Sequence, residues 1–212
     1  MRDIPIFTTE NGVASLFLKK IAYTGQAYIV IRDSRSPKAF LDECVAFCLS
    51  AGASRVYASG DPSLSEYPMH TQMIKLSRTR SGLPESDAEI AAIEETELTQ
   101  WRKDYNARML PVDNSAPMTM EDARKHLGDG DAYYIRKDGK KIGLGIASGE
   151  QIDTLISLVP GMGQTVLLAL NQVLTGTDIY LTVASTNQRA LRLYEKLGFA
   201  KIGIISDWYA VK

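Results

Sequence analysis

The sequence predicts an α/β (α+β) fold, in which helices pack on a β-sheet. Apolar runs typical of strands alternate with segments whose apolar residues recur at helical spacing. The second half follows the order strand, strand, strand, helix, strand, helix, strand, and glycine or proline separates many of the elements. The 212 residues, 45% of them hydrophobic and 23% charged, can bury a large core, which excludes disordered, collagen-like and coiled-coil classes.

Residues 1–80 are predicted to form a smaller domain of strands with one helix. Asn11-Gly12 is typical of a hairpin turn. Pro37 lies near the first turn of a helix that Gly52 would end. The predicted strands are residues 4–9, 13–21, 28–31, 56–58 and 69–77.

Residues 87–212 are predicted to form a second domain. The polar stretch 78–86, which contains Gly and Pro, is expected to be a linker before it. Ser86 followed by Glu89 fits a capping box that would open a helix. The apolar stripe of that helix would be Ile90, Ile93, Trp101 and Tyr105. The later predicted strands are 132–136, 141–147, 152–158, 179–184 and 200–209, and the later helices are 119–128, 163–174 and 187–197.

Charge and residue usage exclude several classes of partner. Lys and Arg number 24 against 25 Asp and Glu, so a net charge of −1 gives no field that would hold nucleic acid or an anionic membrane. No apolar run approaches the roughly 20 residues of a spanning helix, and the first 12 residues lack an apolar signal core. We therefore expect a cytoplasmic protein with no nucleic-acid or membrane partner. Two histidines leave little room for a His-rich site, so no metal is expected.

Residues 185–199, STNQRALRLYEKLGF, predict an amphipathic helix. Ala190, Leu193, Tyr194 and Leu197 share one face at helical spacing. Asn187 lies near the start, where a short polar side chain can cap the helix or reach a ligand, and Gly198 is placed to end it. On periodicity alone, Tyr194 is a core residue of a well-capped helix.

The segment 152–174 predicts an apolar strand, a glycine loop and a helix. Gly161 and Gly163 let backbone N–H groups turn toward one point without side chains in the way. The N-terminus of the helix adds a partial positive charge, so the loop suits a phosphate. A tight turn that binds nothing is the alternative that this pattern leaves open.

The residues from Asn187 to Phe199 resemble a signature of the GNAT N-acetyltransferase family, and the strand, Gly161-x-Gly163 loop and helix lie upstream in the order of that family. The resemblance covers residues 87–212, although Leu158-Val159-Pro160 stands where the family has a longer loop. It implies a mixed, mostly antiparallel sheet with helices on both faces. It also implies transfer of an acetyl group from acetyl-CoA to a primary amine of a small molecule or a peptide N-terminus.

The resemblance also implies roles for single residues. Leu158 and Val159 would pair their backbone with the pantetheine arm of acetyl-CoA, in a gap between strands 152–158 and 179–184, and Asn187 would contact the same arm. Tyr194 would protonate the departing thiolate. The pyrophosphate would be held by the backbone amides of Gly161, Met162, Gly163, Gln164 and Thr165. Independently of the resemblance, Glu150 and Asp153 lie near the start of strand 152–158, where they are candidates for the base that takes the proton of the amine, and solvated hairpin residues are the alternative.

The first half resembles a fragment of the same fold without a cofactor loop, because the corresponding residues 35–39 contain no glycine. Helix 40–52 with strand 55–57 is similar to helix 166–176 with strand 179–181, which predicts a duplication. Two unrelated α/β units are the alternative.

Two other functions were weighed against the transferase. A Rossmann nucleotide-binding protein would need a glycine at Val166 and an acidic residue after strand 179–184, and the sequence has neither. A non-catalytic acyl-CoA sensor or interaction protein with the same fold stays open, as does a homodimer. Cys44 and Cys48 are expected to be buried hydrophobic residues rather than a redox pair.

Overall fold

One sheet of 11 strands organises the protein. The computed structural model describes residues 5–212, so the first residue of the expected strand 4–9 lies outside the described residues. The strands are β1 (Ile6–Thr9), β2 (Gly12–Phe17), β3 (Gln26–Ser34), β4 (Arg55–Ser59), β5 (Met69–Thr79), β6 (Glu89–Ala92), β7 (Ala132–Lys137), β8 (Lys140–Ser148), β9 (Gln151–Ser157), β10 (Asp178–Ala184) and β11 (Ala200–Ala210). Their order is β1-β2-β3-β4-β11-β5-β10-β9-β8-β7-β6. β3–β4 and β9–β10 run parallel and the other neighbours antiparallel, which confirms a mixed, mostly antiparallel sheet.

Helices cover both faces of this sheet. They are α1 (Ile21–Thr24), α2 (Pro37–Ser50), α3 (Leu98–Met109), α4 (Met120–Asp129), α5 (Gly163–Asn171) and α6 (Gln188–Lys196). Successive residues of a strand point to opposite faces. On β7, Tyr134 joins an apolar cluster with Trp101 of α3, whereas Ile135 joins a different cluster with Leu167 of α5 and Tyr194 of α6. The pair α3 and α4 therefore lies on one face, and the pair α5 and α6 on the other.

The two parts of the chain exchange strands at the centre of the sheet. β5 comes from the first part, yet it lies between β11 and β10 and pairs with β10 from Thr79↔Asp178 to Met73↔Ala184. β11, from the second part, lies between β5 and β4 and reaches β4 at Tyr209↔Ala58. The hydrogen-bonded sheet thus runs through both parts, and a division at residues 80–87 stays a prediction.

The expected linker 78–86 is only partly irregular. β5 continues to Thr79. Arg80 then bonds the chain to the last residue of α5 and to the segment that follows that helix. Its Nε and Nη2 donate to the side-chain and backbone oxygens of Asn171, each at 2.9 Å, and its Nη1 donates to the Gly176 carbonyl at 2.9 Å. Because three donors of one guanidinium are satisfied, this crossing is anchored rather than a loose connection.

The prediction of a helix that begins directly after Ser86 is wrong for the first residues of that segment. Ser86 Oγ accepts from the Ala88 N–H at 3.2 Å, which makes a tight turn instead of a capping box with Glu89. The chain then forms β6, whose Ile90 pairs with Ile135 of β7, and α3 begins only at Leu98. Pairing with β7, which makes β6 the edge strand of the sheet, therefore prevailed over the local helix signal.

The predicted strand 13–21 also ends early. β2 stops at Phe17, and α1 begins at Ile21 and ends at Thr24, followed by Gly25 with a φ of 69°. Between them, the Lys20 ammonium donates to the Val112 carbonyl at 2.6 Å. A tertiary contact across 92 residues thus accompanies the change of direction.

Two glycines of β8 allow α5 to lie close to the sheet. A Cβ on Gly143 would lie 2.2 Å from Val166 Cγ2, and one on Gly145 would lie 2.6 Å from Leu170 Cδ2. Both positions also face backbone carbonyls of β9 at 2.9 Å. Glycine is required here because the helix and the neighbouring strand leave no room for a methyl group.

Replacing Gly145 with Ala is expected to lower the free energy of unfolding by about 1–3 kcal/mol, because the added methyl group overpacks the interface between α5 and β8. Urea unfolding followed by circular dichroism measures the change. Gly203→Ala on β11 is the matched control, since nothing lies within 4 Å of the Cβ that it would add. Equal stability of the two variants would contradict the tight packing of α5.

Candidate active site

The parallel strands β9 and β10 diverge along their length. β9 and β10 pair only at Gln151↔Tyr180 and Ile152↔Leu181, although each strand has seven residues. The other parallel pair of the sheet, β3 and β4, stays together over five positions. A cleft of about 720 Å³ lies between the diverging strands, lined by residues of β9, β10, α3 and α6. The expected gap between strands 152–158 and 179–184 is therefore present.

A bulge on β9 determines where its backbone points. The partners of β8 jump from Ile152 to Thr154, which leaves Asp153 as the extra residue. Beyond the bulge, the Leu158 N–H donates to the Ile142 carbonyl at 2.9 Å. Because alternate residues of a strand direct their N–H groups to the same side, the Ser157 amide points to the opposite edge, toward the cleft.

The structure alters the predicted role of Leu158. Its N–H is bonded to β8, and its carbonyl accepts from Arg108 Nη2 at 2.8 Å. The carbonyl of Val159 accepts from the Ser157 hydroxyl at 2.6 Å. The Leu158 backbone and the Val159 carbonyl are therefore already occupied, and Ser157 is the residue of this stretch that lines the cleft.

The loop after β9 brings backbone amides to the start of α5. Gly161 has a φ of 88°, a left-handed conformation that glycine adopts without strain. The Met162 N–H is used inside the loop, where it donates to the Val159 carbonyl at 3.2 Å. An α-helix leaves the N–H groups of its first turn without intrahelical partners, and here these belong to Gly163, Gln164 and Thr165. The loop thus presents a set of donors at a helix N-terminus.

Gly163 also allows α6 to approach this loop. A Cβ on Gly163 would lie 3.1 Å from Leu193 Cδ2, a tight contact. Lys196 Nζ, on the last turn of α6, lies 3.4 Å from Gln164 Oε1. Gly163, Gln164, Leu193 and Lys196 all line the cleft. The helix of the recognised motif therefore closes one side of the glycine loop.

Tyr194 lies in the cleft wall with 7% of its surface exposed. Its ring packs against Phe199 at 5.6 Å between centroids. Burial raises the pKa of the Tyr194 phenol to about 12, so the group stays protonated at neutral pH. It can therefore donate a proton or a hydrogen bond into the cleft.

Asn187 caps α6 and borders the cleft at the same time. Its Oδ1 accepts from the Ala190 N–H at 3.2 Å, which satisfies one donor of the first turn. Asn187 lines the cleft together with Ala190 and Tyr194. The predicted cap is confirmed, and it orients the Asn187 side chain at the end of β10.

The wall of the cleft on the other face of the sheet was not predicted from the sequence. Arg108 and the loop that follows α3, residues 112–116, line the cleft opposite α6. Tyr105 lines it as well, whereas its neighbour Trp101 is fully buried and donates to the Tyr133 carbonyl at 3.1 Å. Burial raises the pKa of the Tyr105 phenol, and a hydrogen bond with Thr154 opposes that rise. The cleft is thus open to groups from both faces of the sheet.

The two candidate bases have different positions. Glu150 lies at the β8–β9 turn with its side chain against Gly176, and it does not line the cleft. Asp153, the bulged residue, does line it. Burial, and secondarily the charge of Asp131, raises the pKa of the Asp153 carboxyl, while His126 opposes the rise. Of the two acids, Asp153 is placed to meet a substrate.

Other kinds of site were sought in residues 5–212. Within that range, no cluster of three or more His, Cys, Asp or Glu residues could hold a metal ion. Cys44 and Cys48 are free and buried in α2, and burial raises their thiol pKa values to about 12 and about 11. No helix among the described residues is long and apolar enough to cross a membrane.

Comparison with known proteins bears on the fold. No protein-family model matches the sequence, and neither does a curated protein. A GCN5-related N-acetyltransferase from Anabaena variabilis superposes with a TM-score of 0.62 at 9% identity, covering 94% of this chain and 59% of that one. A second, from Kribbella flavida, gives a TM-score of 0.58 at 16% identity, covering 99% and 90%. A tandem GNAT protein from the clavulanic acid biosynthesis pathway gives 0.50 at 11% identity, covering 94% and 77%. The chain therefore has the fold of GNAT acetyltransferases, as predicted.

Proposed function

We propose that the protein is an acetyl-CoA-dependent N-acetyltransferase that transfers the acetyl group directly to a primary amine of a small molecule or a peptide N-terminus. The divergence of β9 and β10 carries this proposal, because it opens one cleft to a protonated phenol, an unpaired strand edge and a glycine loop. A ternary complex can form in such a cleft, since the two substrates enter from opposite faces of the sheet.

Acetyl-CoA fits the donor side of the cleft. The amides of Gly161, Gly163, Gln164 and Thr165 would hold the pyrophosphate, since a helix N-terminus favours an anion. The Ser157 N–H would donate to the pantetheine arm from the free edge of β9, and Val159, whose carbonyl is already bonded, would contact the same arm through its N–H. Asn187 would border the same arm. Relative to the sequence prediction, Leu158 and the Met162 amide leave this set because both are bonded within the protein.

The transfer needs positioning and two proton movements. A neutral amine attacks the thioester carbonyl carbon, the C–N bond forms and the C–S bond breaks. Holding the reactants together supplies roughly 7–11 kcal/mol of the barrier. The backbone N–H groups at the cleft edge of β9 would stabilise the oxygen that gains negative charge. Tyr194 gives its proton to the departing thiolate and regains one from water, while the nitrogen releases its proton to Asp153.

Asp153→Asn is expected to lower kcat/KM by about tenfold or more and to remove the part of the acidic limb of its pH profile that does not follow protonation of the amine itself. Because burial raises the pKa of Asp153, the wild-type limb should lie above the range of an ordinary aspartate, near 3.9. Rates of thiol release across pH with one amine measure this limb. Asp138→Asn, in the exposed β7–β8 turn, is the control. An unchanged limb in Asp153→Asn would assign the proton to another group.

Two measurements test the proposed function itself. Acetyl-CoA should raise the melting temperature, and a panel of amines should include acceptors that release free CoA thiol. Mass spectrometry should then find the acetylated amine. A thermal shift without thiol release would favour the alternative function, an acyl-CoA sensor. If acetyl-CoA causes no thermal shift and no amine releases thiol, the assignment of the cleft is overturned.

A further inference from the structure

The loop between α3 and α4, residues 110–118, crosses the mouth of the cleft. At one end, Arg108 of α3 is bonded to the Leu158 carbonyl after β9. Further along, Asp113 Oδ2 accepts from the Thr186 hydroxyl at 3.1 Å, immediately after β10. The loop therefore joins the ends of the two strands whose divergence makes the cleft, on the face opposite Tyr194.

The first part of the chain holds this loop in place. Lys20, with 2% of its surface exposed, donates to the Val112 carbonyl at 2.6 Å. The Asn114 N–H donates to the Tyr28 hydroxyl at 3.2 Å. Burial lowers the pKa of the Lys20 ammonium, and the charge of Asp113 opposes that shift. Residues that lie outside the recognised motif region thus set the conformation of the loop.

Asp113 offers a carboxylate to the cleft. One oxygen has the Thr186 donor, and the other lies 3.5 Å from His70 Nε2. The His70 ring stacks on Tyr57 at 3.9 Å between centroids, so β4 and β5 fix its position. Among the described residues, His70 Nε2 is buried without a hydrogen bond. Asp113 is therefore held from two sides, and it lines the cleft.

Asn114 is the unusual residue of the loop. It has a φ of 57°, a left-handed conformation that few side chains other than glycine adopt, although asparagine tolerates it better than most. Its Nδ2 and Oδ1 atoms are both buried, and neither finds a partner in residues 5–212. Asn114 lines the same cleft as Asp113. A buried amide with an unused donor and an unused acceptor is matched to a polar ligand.

We infer that Asp113 and Asn114 form the acceptor subsite and select a cationic amine that carries a neutral hydroxyl or amide nearby. Asp113 would bind the ammonium form on entry, the ammonium would lose one proton to water before it attacks the thioester, and Asn114 would take the second polar group. His70 and Lys20 act through these two as positioning residues. A carboxylate beside the amine would be disfavoured by repulsion from Asp113. This inference rests on the proposed acetyltransferase function and deepens it.

Matched pairs of amines test the substrate class. Ethanolamine, glycinamide and tyramine are compared with serine, glycine and tyrosine, which add or restore a carboxylate, by thiol release from acetyl-CoA. The member without the carboxylate should react about tenfold faster or more. Equal rates within the active pairs would overturn the inference. Acetyl-CoA binding without turnover of any amine, or failure to bind acetyl-CoA, would instead overturn the proposed function and the inference with it.

Variants test the two residues with the best amine. Asp113→Asn and Asn114→Gly should each raise the KM for the amine about tenfold or more and leave the KM for acetyl-CoA within about twofold. Asn114→Gly should also keep or raise the melting temperature, because glycine adopts the left-handed conformation freely. Asp138→Gly relieves the same conformation in an exposed turn and should change neither KM. A lower melting temperature of Asn114→Gly with an unchanged amine KM would show a purely structural role and overturn the inference.

Discussion

Tyr194→Phe is expected to lower kcat by about 10²–10⁴-fold while the Kd for acetyl-CoA changes less than about twofold. The ring keeps its packing against Phe199, so the variant removes only the hydroxyl of a residue that lines the cleft. Without that proton the C–S bond must break to a bare thiolate, which raises the barrier of the chemical step alone. Stopped-flow or steady-state thiol release gives kcat, and calorimetry with acetyl-CoA gives the Kd.

The pH profile sharpens this test. Because the pKa of Tyr194 is raised to about 12, its ionisation should produce no alkaline limb below about pH 10 in the wild type. Tyr23→Phe, whose side chain is 63% exposed, is the control and should behave like the wild type. Equal losses of kcat and of acetyl-CoA affinity in Tyr194→Phe would remove Tyr194 from the role of acid and leave it as a binding residue.

The features that the sequence predicted well are those encoded by neighbouring residues. The Asn187 cap, the apolar face around Tyr194 and the glycine after α6 are local signals, and Gly198 indeed has a φ of 79°. The glycine loop follows from the same logic, since strand, loop and helix are contiguous. Because β9 and β10 diverge between these elements, Tyr194 and the loop amides lie in one cleft.

The features that the sequence did not predict depend on distant pairings. Nothing near β5 indicates that it would lie between β10 and β11, because the pairing of Met73 with Ala184 joins residues far apart in the chain. The bond between Lys20 and Val112 spans 92 positions. The acceptor side of the cleft therefore could not be predicted, because residues from both parts of the chain hold it.

Gly161→Val is expected to raise the Kd for acetyl-CoA by about 10²-fold or more, because a β-branched residue is a steric outlier at a φ of 88° and must turn the loop amides away from one common point. Losing one or two charge-assisted hydrogen bonds to a phosphate accounts for this size. Gly163→Val should act similarly by a different cause, since its side chain would meet Leu193 and push α6 from the loop. Calorimetry with acetyl-CoA measures both.

The control for backbone strain is Gly149→Val. Gly149 also has a positive φ, of 56°, with nothing within 4 Å of an added Cβ, but it lies at the β8–β9 turn and does not line the cleft. Strain alone should cost both variants about 1–3 kcal/mol of stability, so a shared loss of melting temperature with a selective loss of acetyl-CoA affinity in Gly161→Val assigns the phosphate to the loop. If Gly161→Val and Gly163→Val both bind acetyl-CoA as the wild type does, the diphosphate lies elsewhere, and the alignment of its thioester with Tyr194 fails as well.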